Sequence, residues 1–523
     1  MAINHQISSA DRPTSFADRT GAALVARRTD TERKTKGLYL TPVEVADFMA
    51  AQLSGGQHSL RLLDPAAGSG TLLCAVIERL ASADKQFREA ELIAYESDPE
   101  LGDALINVLD NLRGWASKRD LAIRVTIKKQ DFVLAHADTL ASNRQLFRPQ
   151  STEPFDAVIA NPPYFKLAKC DPRAQAATSV VHGQPNIYAF FMAVGVALLR
   201  EGGEFLFITP RSFTSGRYFQ LFRQKFFASL RPTKVHVFRS RHEAFERDRV
   251  LQENIILKGV REDDWQSRTK RYQLSVSSSS GLADLNDSIR RVLALKDALD
   301  PASVESVLRL PIGRNEDDAV RLVDSWTGSL HKYGMNVSTG PVVPFRALQF
   351  LGKSDADSDY VPLIWMNHVQ PMRILFPNDA RKPQYISKAA VRKSLLLPNR
   401  NYVLLRRFTA KEETRRLVAA PWFRNIVPCQ LLGIENHVNY IYRPRGELTE
   451  DEACGLAALL NSELLDVYFR VSSGNTQVSA TELRIMPLPS RETIVWIGRC
   501  AKKLQCRDES LEKIVESAVG APR

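Results

Sequence analysis

The residues with the most definite chemistry are Asn161-Pro162-Pro163-Tyr164, which directly follow the apolar run 155–160. The two prolines stiffen the loop and remove backbone donors, so the Asn161 amide oxygen and the neighbouring carbonyl can face one point. Such a pair accepts hydrogen bonds from an exocyclic amino group and raises the nucleophilicity of its nitrogen. The Tyr164 ring offers a flat surface on which a planar base can stack. The structural alternative is a proline-stiffened turn with a core tyrosine.

A glycine-rich turn lies earlier in the chain, where a short apolar run leads into Asp64-Pro65-Ala66-Ala67-Gly68-Ser69-Gly70. Glycines at such a turn let backbone N–H groups approach a ligand closely. Leu73 stands where a dinucleotide fingerprint has its third glycine, and no lysine follows Gly70 as it would in a phosphate loop. Asp64, four residues before Gly68, suits a cationic ligand that carries an amine, such as S-adenosylmethionine.

Two further acids follow the next apolar runs. Glu96 ends the run 92–95, and an acid at that place can accept hydrogen bonds from ribose hydroxyls. Asp131-Phe132 follows the run 123–128 and fits an acid and a ring that hold an adenine. Thr41, just before Pro42, is expected to cap a helix that starts with proline.

These residues are separated by an alternation of short apolar runs and amphipathic helical stretches, which predicts an α/β fold: a doubly wound sheet that is mostly parallel. We expect a flexible segment at 1–33, a catalytic domain at 34–262 and a connecting segment at 263–330, with 282–299 helical. A second, mixed α/β domain follows at 331–490. The last segment, 491–523, is expected to form one amphipathic helix.

Composition excludes several classes of protein. Apolar residues make up 44% and charged residues 25% of the chain, as in an ordinary globular protein. No apolar run reaches the roughly 18 residues that span a bilayer, and the N-terminus lacks the apolar core of a secretory signal. Six cysteines without a C-x-x-C pair indicate a reducing cytoplasm and argue against a disulfide framework or a zinc ribbon. A formal charge of +12 favours a polyanionic partner.

In this order, the motifs resemble those of gamma-class, N6-adenine DNA methyltransferases of type II restriction–modification systems, the TaqI type. The resemblance is clear over residues 34–260 and implies a Rossmann-like methyltransferase domain followed by a target-recognition domain. It implies that S-adenosyl-L-methionine is bound by Thr41, Asp64, Gly68, Gly70, Glu96, Asp131 and Phe132. It further implies that Asn161 and Pro162 hold the adenine N6, that Pro163 fixes their loop and that Tyr164 stacks on the flipped base. We expect a second stacking ring from Phe245, with Phe238 as the alternative.

The resemblance implies methylation of a specific site in double-stranded DNA, protecting it from a separately encoded restriction endonuclease. We expect a monomeric bacterial or archaeal cytoplasmic enzyme with no metal and no membrane contact. Because Asn-Pro-Pro-Tyr also occurs in enzymes that methylate RNA or a protein glutamine, those substrates stay open as alternatives. A DNA specificity protein without activity is another alternative, and intact motifs at Asp64, Gly68, Gly70 and 161–164 argue against it.

Overall fold

The computed structural model describes residues 12–141, 153–168, 170–176, 186–239, 253–352, 359–379, 381–409, 413–473, 477–503 and 508–520. The chain divides into two compact units, residues 1–312 and 313–523. Among the described residues, no helix is long and apolar enough to cross a membrane.

The first unit is built on a nine-stranded sheet. Its strands are β1 (Ser59–Asp64), β2 (Glu89–Tyr95), β3 (Ala122–Lys128), β4 (Phe155–Ala160), β5 (Leu199–Pro210), β6 (Leu230–Phe238), β7 (Asn254–Arg261), β8 (Gln273–Ser279) and β9 (Ile289–Ala294). Its helices are α1 (Pro13–Val25), α2 (Asp30–Lys36), α3 (Val43–Ala50), α4 (Thr71–Ala83), α5 (Pro99–Ser117), α6 (Phe132–Ala135), α7 (Ala137–Ala141), α8 (Pro172–Ala176), α9 (Tyr188–Leu198), α10 (Gln220–Ser229) and α11 (Leu295–Ala298).

The strand order β3-β2-β1-β4-β5-β7-β6-β8-β9 confirms the predicted doubly wound α/β fold. The five strands from β3 to β5 are parallel to their neighbours, and β7 runs antiparallel to both β5 and β6. Every residue of α9 is buried, which explains its apolar sequence, since this helix packs against the sheet. The order reverses between β1 and β4, so the carboxyl ends of these strands flank a crevice where such sheets bind ligands.

The prediction that residues 1–33 form a flexible segment is wrong for its described part, because α1 and the first residues of α2 are helical there. Arg12 binds Asp47 and Glu78, and Arg28 binds Asp98 through two hydrogen bonds. These ion pairs join residues far apart in the sequence, and they tie a polar segment to α3, α4 and α5. Local composition does not reveal such contacts.

Part of the predicted connecting segment, 263–330, also proves to belong to the sheet. Strand β8 pairs with β6, and β9 pairs with β8, where a helix over 282–299 was expected. The serine-rich run is typical of a loop. In the structure, however, the Ser277 hydroxyl lies 2.9 Å from Nδ1 and the Ser279 hydroxyl 3.0 Å from Nε2 of the buried His236. These hydrogen bonds satisfy the polar side chains inside the sheet.

The second unit combines small sheets with a helical layer. Its strands are β10 (Asn336–Thr339), β11 (Leu351–Gly352), β12 (Tyr360–Ile364), β13 (Val369–Gln370), β14 (Arg373–Ile374), β15 (Tyr385–Ser387), β16 (Leu396–Pro398), β17 (Tyr402–Arg406), β18 (Ala419–Trp422), β19 (Leu431–Ile434) and β20 (Val438–Tyr442). Its helices are α12 (Arg314–Asp324), α13 (Glu450–Leu460), α14 (Glu463–Ser472), α15 (Ala480–Ile485), α16 (Arg491–Lys503) and α17 (Asp508–Val519). The sheets have the orders β10-β20-β17-β18, β11-β15-β12-β19-β16 and β13-β14.

The helical layer is held by the close approach of α13 and α16. A Cβ atom on Gly455 or Gly498 would collide with a backbone carbonyl oxygen of the other helix. The C-terminal residues, predicted as one helix, form α16 and α17, and residues 504–507 between them lie outside the described part of the chain.

Candidate active site

A cavity of about 370 Å³ opens in the first unit, beside the carboxyl ends of β1, β2 and β4. Its volume lies within the range of small-molecule sites. Six of the predicted site residues line it: Gly68, Glu96, Asp131, Phe132, Asn161 and Pro163. Half of the residues predicted for the site therefore meet at one place.

The glycine-rich turn forms one wall of this cavity. Gly68 and Gly70 have φ angles of 55° and 85°, a left-handed conformation that glycine adopts without strain. Space is also short, because a Cβ at Gly68 would lie 2.9 Å from a methyl of Leu40, and one at Gly70 would lie 2.8 Å from Leu105. Gly68 lines the cavity, and Gly70 is the N-cap residue of helix α4.

Asp64 supports the turn from behind. It is fully buried, and its Oδ1 accepts a hydrogen bond of 3.0 Å from the Ala66 N–H. Among the described residues, Oδ2 has no hydrogen-bond partner. Burial in this apolar setting raises the pKa of Asp64 to about 8, so the group is mostly protonated near neutral pH.

Glu96 is held by two backbone donors at the cavity wall. Its Oε2 accepts from the Gly68 N–H at 2.9 Å, and its Oε1 accepts from the Asp98 N–H at 2.7 Å. Each oxygen keeps a second lone pair, so the carboxyl group can still accept hydrogen bonds from a vicinal diol. Burial raises the pKa of Glu96, and the two backbone donors oppose this shift.

Asp98, whose backbone N–H donates to Glu96, is itself held by two cations. Asp98 lies 2.7 Å from Arg28 and 2.9 Å from Lys36, and these cations hold the pKa of its carboxyl well below the usual range. Both Asp98 and Lys36 line the cavity. Neither cation was predicted to support the site, because Arg28 precedes the expected catalytic domain and Lys36 lies at its edge.

Asp131 and Phe132 form the opposite end of the cavity. Asp131 Oδ1 caps helix α6 by accepting from the Leu134 N–H at 2.9 Å, and Oδ2 lies 3.3 Å from Arg173 Nη1. The Phe132 ring stacks on Phe191 with centroids 5.3 Å apart. An apolar slot with an acid at its rim suits a planar heterocycle with an amino group. Arg173 was not predicted from the sequence.

The Asn161 side chain has a fixed orientation. Its Nδ2 donates to the Tyr39 carbonyl at 2.9 Å and to Thr41 Oγ1 at 3.2 Å. Thr41 therefore contacts the asparagine and is itself buried. Because both protons of the amide nitrogen are used, Oδ1 is the end of the amide that can accept a hydrogen bond from a substrate.

Tyr164 lies behind the cavity wall. It is 7% exposed, and its hydroxyl lies 2.6 Å from Asn161 Oδ1 and 2.9 Å from the Ile208 carbonyl. Its ring stacks on Tyr39 with centroids 6.5 Å apart, while Tyr39 and Phe165 line the cavity. Stacking of Tyr164 on a base stays a prediction, and it requires a ring face that is covered in this conformation.

The remaining predicted residues have different positions. Pro162 is buried. Pro163 packs closely against Gly37, since a Cβ added to this glycine would lie 2.9 Å from the Pro163 side chain. Phe245 lies outside the described residues. Phe238 is fully buried and packs edge-on to His236, with its ring centroid 4.8 Å away. Within the described part of the chain, no group of His, Cys, Asp and Glu could hold a metal ion.

The doubly wound sheet, with a cavity where its strand order reverses, is a Rossmann-like fold that binds a small cofactor at the carboxyl ends of its strands. Residues 73–245 match the model of the Eco57I restriction-modification methylase family. The chain is 32% identical over 493 residues to the type II methyltransferase M.PstI of Providencia stuartii, covering 94% of both chains. It is also 32% identical to M.BsuBI of Bacillus subtilis, over 88% of this chain and 89% of that protein. The chain therefore belongs to the type II methyltransferases.

Among solved structures, the chain is similar to the DrdV–DNA complex, with 14% identity and a TM-score of 0.46 over 94% of this chain and 60% of that one. The fold and family membership imply S-adenosyl-L-methionine as the cofactor. The cavity fits this molecule, because Glu96 can accept from ribose hydroxyls and Phe132 and Asp131 can hold an adenine.

Proposed function

We propose that this protein is a gamma-class, site-specific DNA methyltransferase that modifies N6 of adenine in duplex DNA. The observation that supports it best is the Asn161 amide, whose Nδ2 is held by Tyr39 and Thr41 while Oδ1 remains as an acceptor beside the cofactor cavity. An adenine amino group needs such an acceptor. The S-adenosyl-L-methionine sulfonium supplies an electrophilic methyl group when it is bound.

The protein's part in the reaction is positioning. Asn161 Oδ1, with the backbone carbonyl of its loop, accepts the N6 protons and aligns the nitrogen lone pair with the methyl group. The adenine must leave the base stack, which costs on the order of a few kcal/mol, offset by stacking and phosphate contacts. Glu96 and the turn at Gly68 hold the cofactor in place during this step.

The second unit, residues 313–523, is proposed to recognise the DNA sequence. It contains the most basic stretch of the chain, with Arg373, Arg381, Lys382, Arg392, Lys393, Arg400, Arg406 and Arg407 among tyrosines and a phenylalanine. We further propose that the protein acts as a monomer in the cytoplasm of a bacterium or archaeon. Its methylation would protect the host sites from a cognate endonuclease encoded separately.

The reaction is tested with labelled S-adenosyl-L-methionine and unmethylated plasmid DNA, followed by nucleoside analysis. We expect N6-methyldeoxyadenosine at one short sequence. N4-methyldeoxycytidine would contradict the base assignment, and label in RNA or protein only would contradict the substrate. Asn161→Ala should lower transfer at least 100-fold, by analogy with the loss of a transition-state hydrogen bond, while cofactor binding stays within about threefold.

A matched control is Asn399→Ala, because Asn399 is an amide of the second unit whose contacts are to residues 422–429. If both variants lose activity to the same degree, the loss at Asn161 reflects folding and the assignment fails.

A further inference from the structure

The turn between β19 and β20 places an exposed histidine on a buried acid. Glu435 is fully buried, and its Oε2 accepts from the His437 backbone N–H at 3.1 Å. Its Oε1 lies 2.5 Å from Nδ1 of the His437 ring, whose side chain is 45% exposed. A buried carboxylate is costly unless it is paired, and here its partner is a side chain half open to solvent.

Contacts on both sides fix this turn. The Asn436 N–H donates to the Val342 carbonyl at 2.9 Å, and the Arg407 N–H donates to the His437 carbonyl at 2.9 Å. The Arg407 guanidinium donates to the Asn436 carbonyl and to Gln477 Oε1. A rigid turn of this kind gives the imidazole a defined position.

The Glu435 contact also sets the direction in which the ring points. With Nδ1 against the carboxylate, Nε2 is the nitrogen on the outer side, and no described residue pairs with it. The Phe408 ring packs edge-on against the imidazole with centroids 4.9 Å apart, which limits its rotation. In other proteins, a carboxylate bound to one ring nitrogen of a histidine fixes the tautomer and the orientation of a functional imidazole.

The neighbouring segment exposes large apolar side chains. Phe345 and Leu348 are 71% and 69% exposed, and they follow Val342, which is hydrogen-bonded to the turn. The Arg346 guanidinium lies 5.3 Å from the Phe345 ring centroid. Apolar side chains beside cations contact thymine methyl groups and base steps in protein–DNA interfaces.

We propose that this surface, made of residues 342–348, 407–408 and 435–437, binds duplex DNA and that His437 reads a base edge. Nε2 of His437 accepts a hydrogen bond from an amino group in the major groove, such as cytosine N4–H2 or adenine N6–H2, because Nδ1 carries the ring proton toward Glu435, which positions the ring. This inference rests on the proposed function, since it assumes that the second unit recognises DNA. Arg346 and Arg407 on this surface, with Lys382 over the Trp365 ring, carry positive charges that would attract DNA phosphates. The acid Glu435 is buried.

The test uses the full-length protein and cognate duplexes, together with duplexes changed at each single base pair of the site. For His437→Ala we expect a 10- to 100-fold loss of discrimination, in kcat/KM, at one base pair, with discrimination at the others unchanged. His437→Gln retains an acceptor, its amide oxygen, near the Nε2 position and should recover part of the loss. His331→Ala, an exposed histidine of the same unit, is the control and should behave as wild type.

Glu435→Gln tests the positioning role. It should reduce discrimination at the same base pair as His437→Ala, and the double variant should lose no more than His437→Ala alone. Uniform weakening for all duplexes would indicate phosphate contact and would overturn base reading, as would an unchanged profile for His437→Ala. If the wild type methylates no DNA at all, it is the proposed function that fails.

Discussion

The hydroxyl of Tyr164 lies 2.6 Å from Oδ1 of Asn161, the atom proposed to accept the adenine amino group. The same hydroxyl is 2.9 Å from the Ile208 carbonyl, and its single proton can serve only one of the two acceptors. An amide oxygen accepts two hydrogen bonds, so Tyr164 and a substrate amine can share Oδ1. The tyrosine thus orients the Asn161 amide and occupies one of the two acceptor positions of Oδ1, which leaves the other for the proposed substrate amine.

Tyr164→Phe should therefore retain transfer within about fivefold of wild type, because a neutral hydrogen bond is worth about 1 kcal/mol net. Tyr164→Ala should lose on the order of 100-fold, since the ring packs on Tyr39 and is proposed to support the base. Single-turnover methylation rates measure both variants. Tyr218→Phe, a half-exposed tyrosine of the same unit, is the control. Equal loss in the Phe and Ala variants would mean that the hydroxyl itself is essential.

Asp64 is expected to make stability depend on pH. Its folded-state pKa of about 8 is raised above the unfolded value near 4, so the folded protein binds the extra proton. This contribution is fully present below pH 4 and is lost as the pH rises to about 8, by at most about 1.4 kcal/mol per pH unit. Asp64→Asn removes this titration. Its free energy of unfolding, relative to that of wild type, should therefore be higher at pH 8 than at pH 5.

Urea unfolding of the isolated protein at several pH values between 5 and 8 measures this difference. Asp110→Asn, at an exposed acid on α5, should leave the pH dependence unchanged. Parallel curves for wild type and Asp64→Asn would show that Asp64 is ionised in the folded protein.

The position of the site follows from the sequence, but several of its supports do not. Asp64, Glu96 and Asn161 each follow an apolar run, and parallel strands bring their carboxyl ends to one edge, so grouping them needs only the fold class. Arg173 and Lys36 act through single long side chains on short helices, and their partners Asp131 and Asp98 are distant in sequence. No periodicity marks such pairs.

Long-range contacts that the sequence does not reveal also decide the structure of whole segments. Strand β8 contains a serine run that is typical of a loop, and it becomes a strand through its pairing with β6 and β9 and its hydrogen bonds to His236. Helices α1 and α2 have polar sequences because one face is solvated, while Arg12 and Arg28 bind acids on other helices. Long-range contacts decide both cases, and composition cannot show them.

Arg28→Ala should destabilise the first unit and weaken cofactor binding. Arg28 makes two hydrogen bonds of 2.7 and 2.8 Å to the Asp98 carboxylate, and both side chains are nearly buried. Removing one partner of a buried pair costs about 3 kcal/mol or more, and Lys36 compensates in part, so we expect a loss of about 2 kcal/mol at pH 7.

The loss for Arg28→Ala should shrink at low pH. The folded-state pKa of Asp98 is depressed, so its contribution is fully present above the unfolded pKa near 4 and declines progressively as the pH falls from there toward the lower folded-state pKa. Denaturant midpoints at pH 7 and pH 3 measure the effect. Arg113→Ala, which removes an exposed pair with Asp110, should cost little at either pH. An Arg28→Ala cost that does not change with pH would exclude Asp98 as its cause.

Asn461 caps the C-terminus of α13, and its contacts in the second unit are to backbone groups. Its Oδ1 accepts from the Ala419 N–H at 3.1 Å, and its Nδ2 donates to the Ala419 carbonyl at 2.7 Å, so one buried amide satisfies both backbone groups at the start of β18. Asn461→Ala leaves the buried Ala419 N–H without its Asn461 acceptor, while the Ala419 carbonyl keeps the hydrogen bond from the Met372 N–H, so the variant should cost about 1–3 kcal/mol of unfolding free energy. At a temperature where the variant stays folded, kcat and site preference should match wild type. A changed methylation site with unchanged stability would instead place Asn461 among the residues that read DNA.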